Sequence, residues 1–285
     1  MKTLITGASG FIGQSLLRQD LVGDIHTTSR IQRPLPHGIK NYCGDLKDLE
    51  FVKSLARERF DRIINLSWEG LPDLSEEINF RNLSASRVFL EAMADSGTTD
   101  FLIAGSCLEY GDLLGEVDEN AIGNNLNNFA ETKLLLLEFV RNLGVNYKWL
   151  RIFYAYGPHQ HKNSLLASAF LGAKSGIPMA IRNPNIARDF IYVEDVASAI
   201  VKLALSPNKN GTYNIGSGKA TGVAQLVNIL NRQIGMENQA YESELEPGLI
   251  ADVNRIRNDT NWTSRFSIDH GVGEYIKWRN SELLA

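Results

Sequence analysis

Residues 1–13, MKTLITGASGFIG, constrain this chain more than any other stretch, because a short apolar run breaks into Gly7, Gly10 and Gly13. Leu4 and Ile5, set between Thr3 and Thr6, predict a buried strand over Lys2–Thr6. Phe11, Ile12, Ser15, Leu16 and Leu17 follow with helical spacing, so the glycines fall on a strand-to-helix turn. Such a turn aims backbone N–H groups and the positive end of a helix at one spot. Without side chains there, a pyrophosphate can approach the main chain closely. The alternative is a tight turn with no ligand, and the agreement of strand, glycines and helix argues against it.

At 285 residues the chain exceeds the usual single domain, so a cofactor domain with a smaller appended lobe is expected. With 29 Lys plus Arg against 33 Asp plus Glu the net charge is −4, and no basic run tracks a phosphate backbone. Nucleic acid is therefore not an expected partner. Cys43 and Cys107 are the 2 cysteines, far apart and without metal-ligand spacing, which fits a reducing compartment. The N-terminal apolar run is too short for a signal peptide, and no segment has the length of a membrane span. A soluble cytoplasmic protein is expected.

The next strand is predicted at Asp24–Ser29, with Arg30 just beyond it, where such folds read the adenosine ribose. Ser29 and Arg30, with Arg33 nearby, offer a hydroxyl and a fixed cation suited to a 2′-phosphate. NADP is therefore the expected cofactor and NAD the alternative. A third strand over 39–43 runs into Gly44-Asp45-Leu46, where Asp45 is also placed to cap a helix starting near Lys47. A fourth strand over 62–66 gives way to the turn-prone Ser67-Trp68-Glu69-Gly70-Leu71-Pro72. Ser75, followed by Glu76 and Glu77, marks the start of a long helix through Met93, and Phe101–Gly105 reads as a fifth strand. Ligands in open parallel sheets sit at the carboxyl ends of strands, so chemistry is expected at Ser106-Cys107-Leu108-Glu109-Tyr110-Gly111.

The GxxGxxG spacing, Gly44-Asp45-Leu46, Tyr110-Gly111, Phe129-x-x-x-Lys133 and Arg188-Asp189-Phe190-Ile191-Tyr192-Val193-x-Asp195 together resemble the extended short-chain dehydrogenase/reductases that epimerise, dehydrate or reduce nucleotide sugars. The resemblance covers almost the whole chain. It implies an α/β fold: a Rossmann-type doubly wound parallel sheet with a smaller C-terminal α/β substrate lobe. The dinucleotide domain would span 1–157 and 190–217, and the nucleotide-sugar lobe 158–189 and 218–285. The same resemblance implies that Gly7, Gly10, Phe11, Ile12, Gly13, Ser29, Arg30, Asp45, Leu46, Leu66, Ser67 and Lys133 face the cofactor. It places Trp68, Ser106, Tyr154 and Arg188 at the substrate, with Ser106 on the reacting oxygen and Arg188 on a diphosphate. Two helices, 75–95 and 129–142, would pair across a two-fold homodimer.

Two departures stand out. The family's catalytic tyrosine, four residues before the lysine, is Phe129 here, which has no proton to give. An engineered substitution that traps substrate, a natural enzyme with another donor such as Tyr110 or Tyr154, and a non-catalytic descendant all fit that residue. Cys107 and Leu108 stand where the 4,6-dehydratases carry an Asp-Glu pair, which disfavours dehydration. The Trp68-Glu69-Gly70-Leu71-Pro72 stretch is similar to 4-keto-6-deoxysugar reductases. The expected reaction is NADPH-dependent reduction of the 4-keto group of a nucleotide-linked, dTDP-type 4-keto-6-deoxyhexose, impaired by Phe129. The alternatives are a 4-epimerase with bound NAD and a non-catalytic nucleotide-binding module. His159, Gln160 and His161 read as a solvated loop, and no metal site is expected. A short edge strand over 177–181 and a helix capped by Asp195 complete the expectations.

Overall fold

The computed structural model describes residues 1–32, 34–177, 179–206, 209–236, 241 and 244–284. Strand β1 (Lys2–Thr6) leads through the glycine turn into α1 (Phe11–Leu16), then β2 (Asp24–Ser29) and β3 (Lys40–Cys43). Helix α2 (Leu49–Arg57), β4 (Arg62–Asn65), α3 (Glu76–Asp95) and β5 (Asp100–Ser106) follow. Next come β6 (Gly115–Val117), α4 (Asn128–Asn142), β7 (Asn146–Ile152), β8 (Tyr154–Tyr156) and α5 (Leu165–Ser175). The chain continues through β9 (Ile186–Arg188), β10 (Phe190–Tyr192), α6 (Val193–Ala204), β11 (Gly211–Ile215), β12 (Thr221–Gly222) and α7 (Val223–Gln233). It ends with β13 (Glu246–Ala251), α8 (Asn254–Thr260) and α9 (Ile268–Leu284).

The main sheet has 7 parallel strands in the order β11-β7-β5-β4-β1-β2-β3. The chain leaves β1 toward β2 and β3, then returns to β4 on the other side. The strand order therefore reverses beside β1, and the crevice at that reversal is where an open α/β sheet binds ligands. Leu4, Ile5, Ile63, Ile64, Leu102 and Ile103 are buried because helices cover both faces of such a sheet. On one face Leu16, Val196, Ile200 and Trp262 form the core; on the other Val52, Leu55, Phe89, Leu136 and Val140 do.

A second sheet, β12-β9-β13-β6, and the β10-β8 pair lie outside the main one. Strand β6 falls within the first 157 residues yet pairs in parallel with β13. Asp189, between β9 and β10, joins the parts. It is fully buried and accepts from Ser217 N (2.7 Å), Ser217 Oγ (2.6 Å), Gly218 N (2.9 Å) and Ala251 N (3.1 Å). Gly216 leaves room for it, since a Cβ there would lie 2.5 Å from Asp189 Oδ2.

Several local expectations are corrected. Asp48, not Asp45, caps α2, accepting from Glu50 N and Phe51 N; two residues of extra loop free Asp45 for the cleft. Asp195 lies inside α6 and accepts from Arg265 N (3.0 Å) and Phe266 N (3.1 Å), so it anchors the C-terminal segment instead of capping its own helix. Ser75 occupies the N-cap position of α3 without a side-chain capping bond. No strand forms at Ile177 or over 179–181; Pro178 lies outside the described residues, as does Arg33. His159 is not merely solvated: its ring packs on Trp278 at 5.0 Å, and partial burial lowers its pKa.

Candidate active site

The glycine turn is built by close approach. Gly7 has φ +69°, and a Cβ on it would lie 2.7 Å from Leu66 C and 2.8 Å from Ser67 N. A Cβ on Gly13 would lie 2.2 Å from Gly7 O, so α1 can start against β1 only if residue 13 has no side chain. At Gly10 a Cβ would lie 3.1 Å from Gly7 O, and the residue lines the cleft. Thr6 Oγ1 donates to Asn65 Oδ1 (2.6 Å) and Ser67 Oγ donates to the same oxygen (2.8 Å), locking the ends of β1 and β4 together.

This cleft brings together Gly7, Gly10, Ser29, Arg30, Asp45, Leu46, Leu66, Ser67 and Trp68, all expected at the cofactor or substrate. Phe11, Ile12 and Gly13 do not line it; Phe11 and Ile12 turn into the apolar cores behind the turn. A dinucleotide fits what is present. The cleft offers a bare glycine face for a pyrophosphate, first-turn amides of α1 and the strand-end carboxylate Asp45.

At the far end of β5, Ser106 Oγ accepts from Leu108 N (3.2 Å); a hydroxyl that accepts still has its own proton to donate. Lys133 projects from α4 beneath this end and donates from Nζ to Ala104 O at 2.8 Å. Its ammonium lies 3.7 Å from the Trp68 ring centroid and 5.6 Å from that of Phe129, and the two rings meet edge-on at 5.7 Å. Spacing of four along α4 puts Phe129 and Lys133 on one helix face. Phe129, Lys133 and Trp68 thus share one corner, and Ser106 stands two residues along β5 from the Ala104 carbonyl that Lys133 holds.

Burial brings the Lys133 pKa down to about 7, against an opposing pull from the Glu109 carboxylate. Because the folded-state value lies below the ordinary 10.5, the unfolded chain binds the extra proton between them, and stability rises with pH across that window. Replacing Lys133 by Met removes this slope. Urea unfolding at stepped pH should show wild type gaining on Lys133→Met by up to about 1.4 kcal/mol per pH unit between roughly pH 7 and 10. A constant difference would mean that the amine is not desolvated.

Glu109 is the support of this corner. Its buried carboxylate accepts from Ser106 N (2.7 Å), Trp149 Nε1 (2.9 Å) and Arg151 Nε (2.9 Å). Gly105 makes the approach feasible, since a Cβ there would lie 2.7 Å from Glu109 Oε1. Tyr110 is removed from the chemistry: it is fully buried, donates to Asn214 Oδ1 at 2.7 Å, and its phenol is pushed up to about 12 by burial. Cys107 is buried and its thiol pushed up to about 12, so it cannot ionise near neutrality. The Arg188 guanidinium sits 4.9 Å from the Tyr154 ring centroid, so these two expected substrate residues stack on each other.

Sequence reasoning did not single out Lys47, Glu69, Asn79 or Glu109 at the site. Glu109 carries a local signal, since Ser106-x-x-Glu109 is the spacing of a capping box, which forms here. Asn79 and Asn82, one helical turn apart on α3, hold the Trp68–Glu69 segment through Trp68 Nε1 and the Glu69 main chain.

Comparison with known proteins places this arrangement. MoeE5 in complex with UDP-glucose and NAD shares 26% identity at a TM-score of 0.83, over 99% of this chain and 100% of that one. The UDP-glucose 4-epimerase of Thermotoga maritima with UDP-glucose shares 22% at 0.84, again over 99% and 100%. The Bacillus cereus UDP-glucuronic acid 4-epimerase, with UDP-glucuronic acid and NAD, shares 20% at 0.85 over the same spans. The two epimerases establish likeness of fold. The sequence model of the NAD dependent epimerase/dehydratase family matches residues 3–216, and on that match the chain belongs to that family.

Proposed function

We propose that the protein reduces the 4-keto group of a nucleotide-linked 6-deoxyhexose with a nicotinamide dinucleotide as electron donor. The observation that carries this reading is the corner where Lys133 and Phe129 meet beside Trp68, with Lys133 held on Ala104 O two residues before Ser106 on β5. When bound, the nicotinamide supplies hydride. Ser106 donates its hydroxyl proton as a hydrogen bond to the reacting oxygen, stabilising the charge that builds there. Lys133, now on Ala104 O, would hold the hydroxyls of the cofactor ribose. Phe129 delivers no proton, so the alkoxide left by hydride addition would have to take its proton from water, and turnover is slow. Dehydration is disfavoured by Cys107 and Leu108, neither of which can move a proton near neutrality.

Residues 1–157 with 190–217 would hold the dinucleotide, and 158–189 with 218–285 the sugar, with Tyr154 and Arg188 at its diphosphate end. Ser29, Arg30 and Lys47 support a phosphorylated ribose and hence NADPH. Phe80, Val88 and Leu135 leave apolar surface exposed on α3 and α4, which supports a two-fold homodimer through 75–95 and 129–142. Light scattering should give twice the 31.7 kDa chain mass.

A second reading, 4-epimerisation with retained NAD, draws on the epimerases of matching fold. One assay separates the two: NADPH and a nucleotide-linked 4-keto-6-deoxyhexose are mixed with excess over enzyme. Net reduction consumes NADPH over many turnovers, whereas an epimerase interconverts its sugars without consuming any. Consumption of neither NADPH nor, in a parallel assay, NADH would defeat the reductase reading.

A further inference from the structure

The segment after β4 crosses the cofactor cleft as a strap. On its inner side Asn82 of α3 grips the Glu69 main chain at two points, donating from Nδ2 to Glu69 O (2.8 Å) and accepting from Glu69 N (2.8 Å). Trp68 Nε1 donates to Asn79 Oδ1 at 3.0 Å. On the outer side the Glu69 carboxylate accepts from Arg30 Nη1 at 2.6 Å and from Lys47 Nζ at 2.8 Å. Lys47 lies 3.6 Å from Asp45 as well. Ser29, Arg30, Asp45, Lys47 and Glu69 all line the one cleft.

A planar guanidinium and an ammonium gathered near the end of β2 are a donor set for a phosphate monoester, while the neighbouring Ser29 hydroxyl donates to Ile31 O at 2.7 Å. Here a carboxylate of the chain itself occupies that set, one oxygen on each cation. Glu69 and Asp45 also cancel the charges of Arg30 and Lys47, whereas a 2′-phosphate brings about −1.5 to −2. An unphosphorylated ribose presents no such charge and is indifferent to the balance. We propose that Glu69 is an internal occupant of the 2′-phosphate subsite, which must leave before NADP(H) binds and so weakens NADP(H) while sparing NAD(H). The inference rests on reading this cleft as the adenosine end of a dinucleotide site. The strap's other anchors, Asn79 and Asn82, hold Trp68 and the main chain, so the Glu69 side chain can swing out while they stay in place.

Calorimetric titration of wild type, Glu69→Gln and Glu69→Gln/Arg30→Ala with NADP+ and with NAD+ tests it, without need of turnover. Glu69→Gln should bind NADP+ about tenfold tighter, with NAD+ changed by less than about twofold; adding Arg30→Ala should cancel the gain. Parallel weakening of both dinucleotides would overturn the proposal, showing that Glu69 holds the strap or a ribose hydroxyl. No change in either would overturn it too. If neither dinucleotide binds wild type, both this inference and the proposed function fail. Binding of both without consumption of NADPH or NADH defeats the reductase reading alone, and the affinity ratio still decides the role of Glu69.

Discussion

Phe129→Tyr is expected to raise the rate of 4-keto reduction by about 10²- to 10⁴-fold, the usual contribution of a positioned proton donor. Phe129 is 5% exposed, edge-on to Trp68, and one helical turn from the amine that lies over both rings. The phenol adds one oxygen to a ring already placed by those contacts, so binding should change little while kcat rises. The protonated form of Lys133, present at neutral pH with a pKa of about 7, favours the phenolate left after proton delivery. Steady-state NADPH consumption with a nucleotide-linked 4-keto-6-deoxyhexose, on both proteins side by side, measures the effect. If wild type already turns over fast and the tyrosine adds nothing, the donor lies elsewhere. Tyr110 is too deeply buried and committed to Asn214 to serve, which leaves Tyr154, beside Arg188, as the phenol to remove next.

Arg151→Met should destabilise the fold by about 3–5 kcal/mol, because it strands a buried carboxylate. Arg151 and Glu109 are both nearly inaccessible, and the guanidinium also donates to Glu119 O at 3.1 Å and lies 4.4 Å from the Tyr110 ring centroid. The attraction between the two charges must offset the cost of taking both out of water, so losing one leaves the other uncompensated. Glu109→Gln in the same chain removes the stranded charge and should recover a large part of the loss, a coupling that a double-mutant cycle in urea reads directly. Since Glu109 also holds Ser106 N, Arg151→Met should lower kcat beyond what the unfolded fraction explains. A loss under about 1 kcal/mol would mean that water reaches the pair.

The alternation and run lengths of the apolar residues suffice for the main sheet and its helices, because strand and helix periods are properties of neighbouring positions. They gave β1, β2, β4, β5 and the start of α1 within a residue or so of where they lie. The glycine turn was legible for the same reason: Gly7, Gly10 and Gly13 act on residues beside them, apart from the approach of Leu66 and Ser67. Capping was less legible, since Asp45 and Asp48 are equally suited to begin α2 and only the length of loop from β3 selects Asp48. Asp195 shows the limit of local reasoning: an acid near a helix start has its carboxylate taken by amides 70 and 71 residues away.

By itself, then, the sequence determined a strand-glycine-helix dinucleotide fold, the Phe129 and Lys133 pairing one helical turn apart, and the family to which they belong. Tertiary structure alone decided which charges meet. Arg30 and Glu69 are 39 residues apart and Glu109 and Arg151 are 42 apart, and a pattern in sequence carries no information on contacts made across strands and loops. Those contacts depend on the strand order and the loop paths. The ion pairs in the cleft beside the glycine turn and beneath Ser106 therefore became visible only once the sheet had set β2 and β4 on either side of β1, and β7 beside β5.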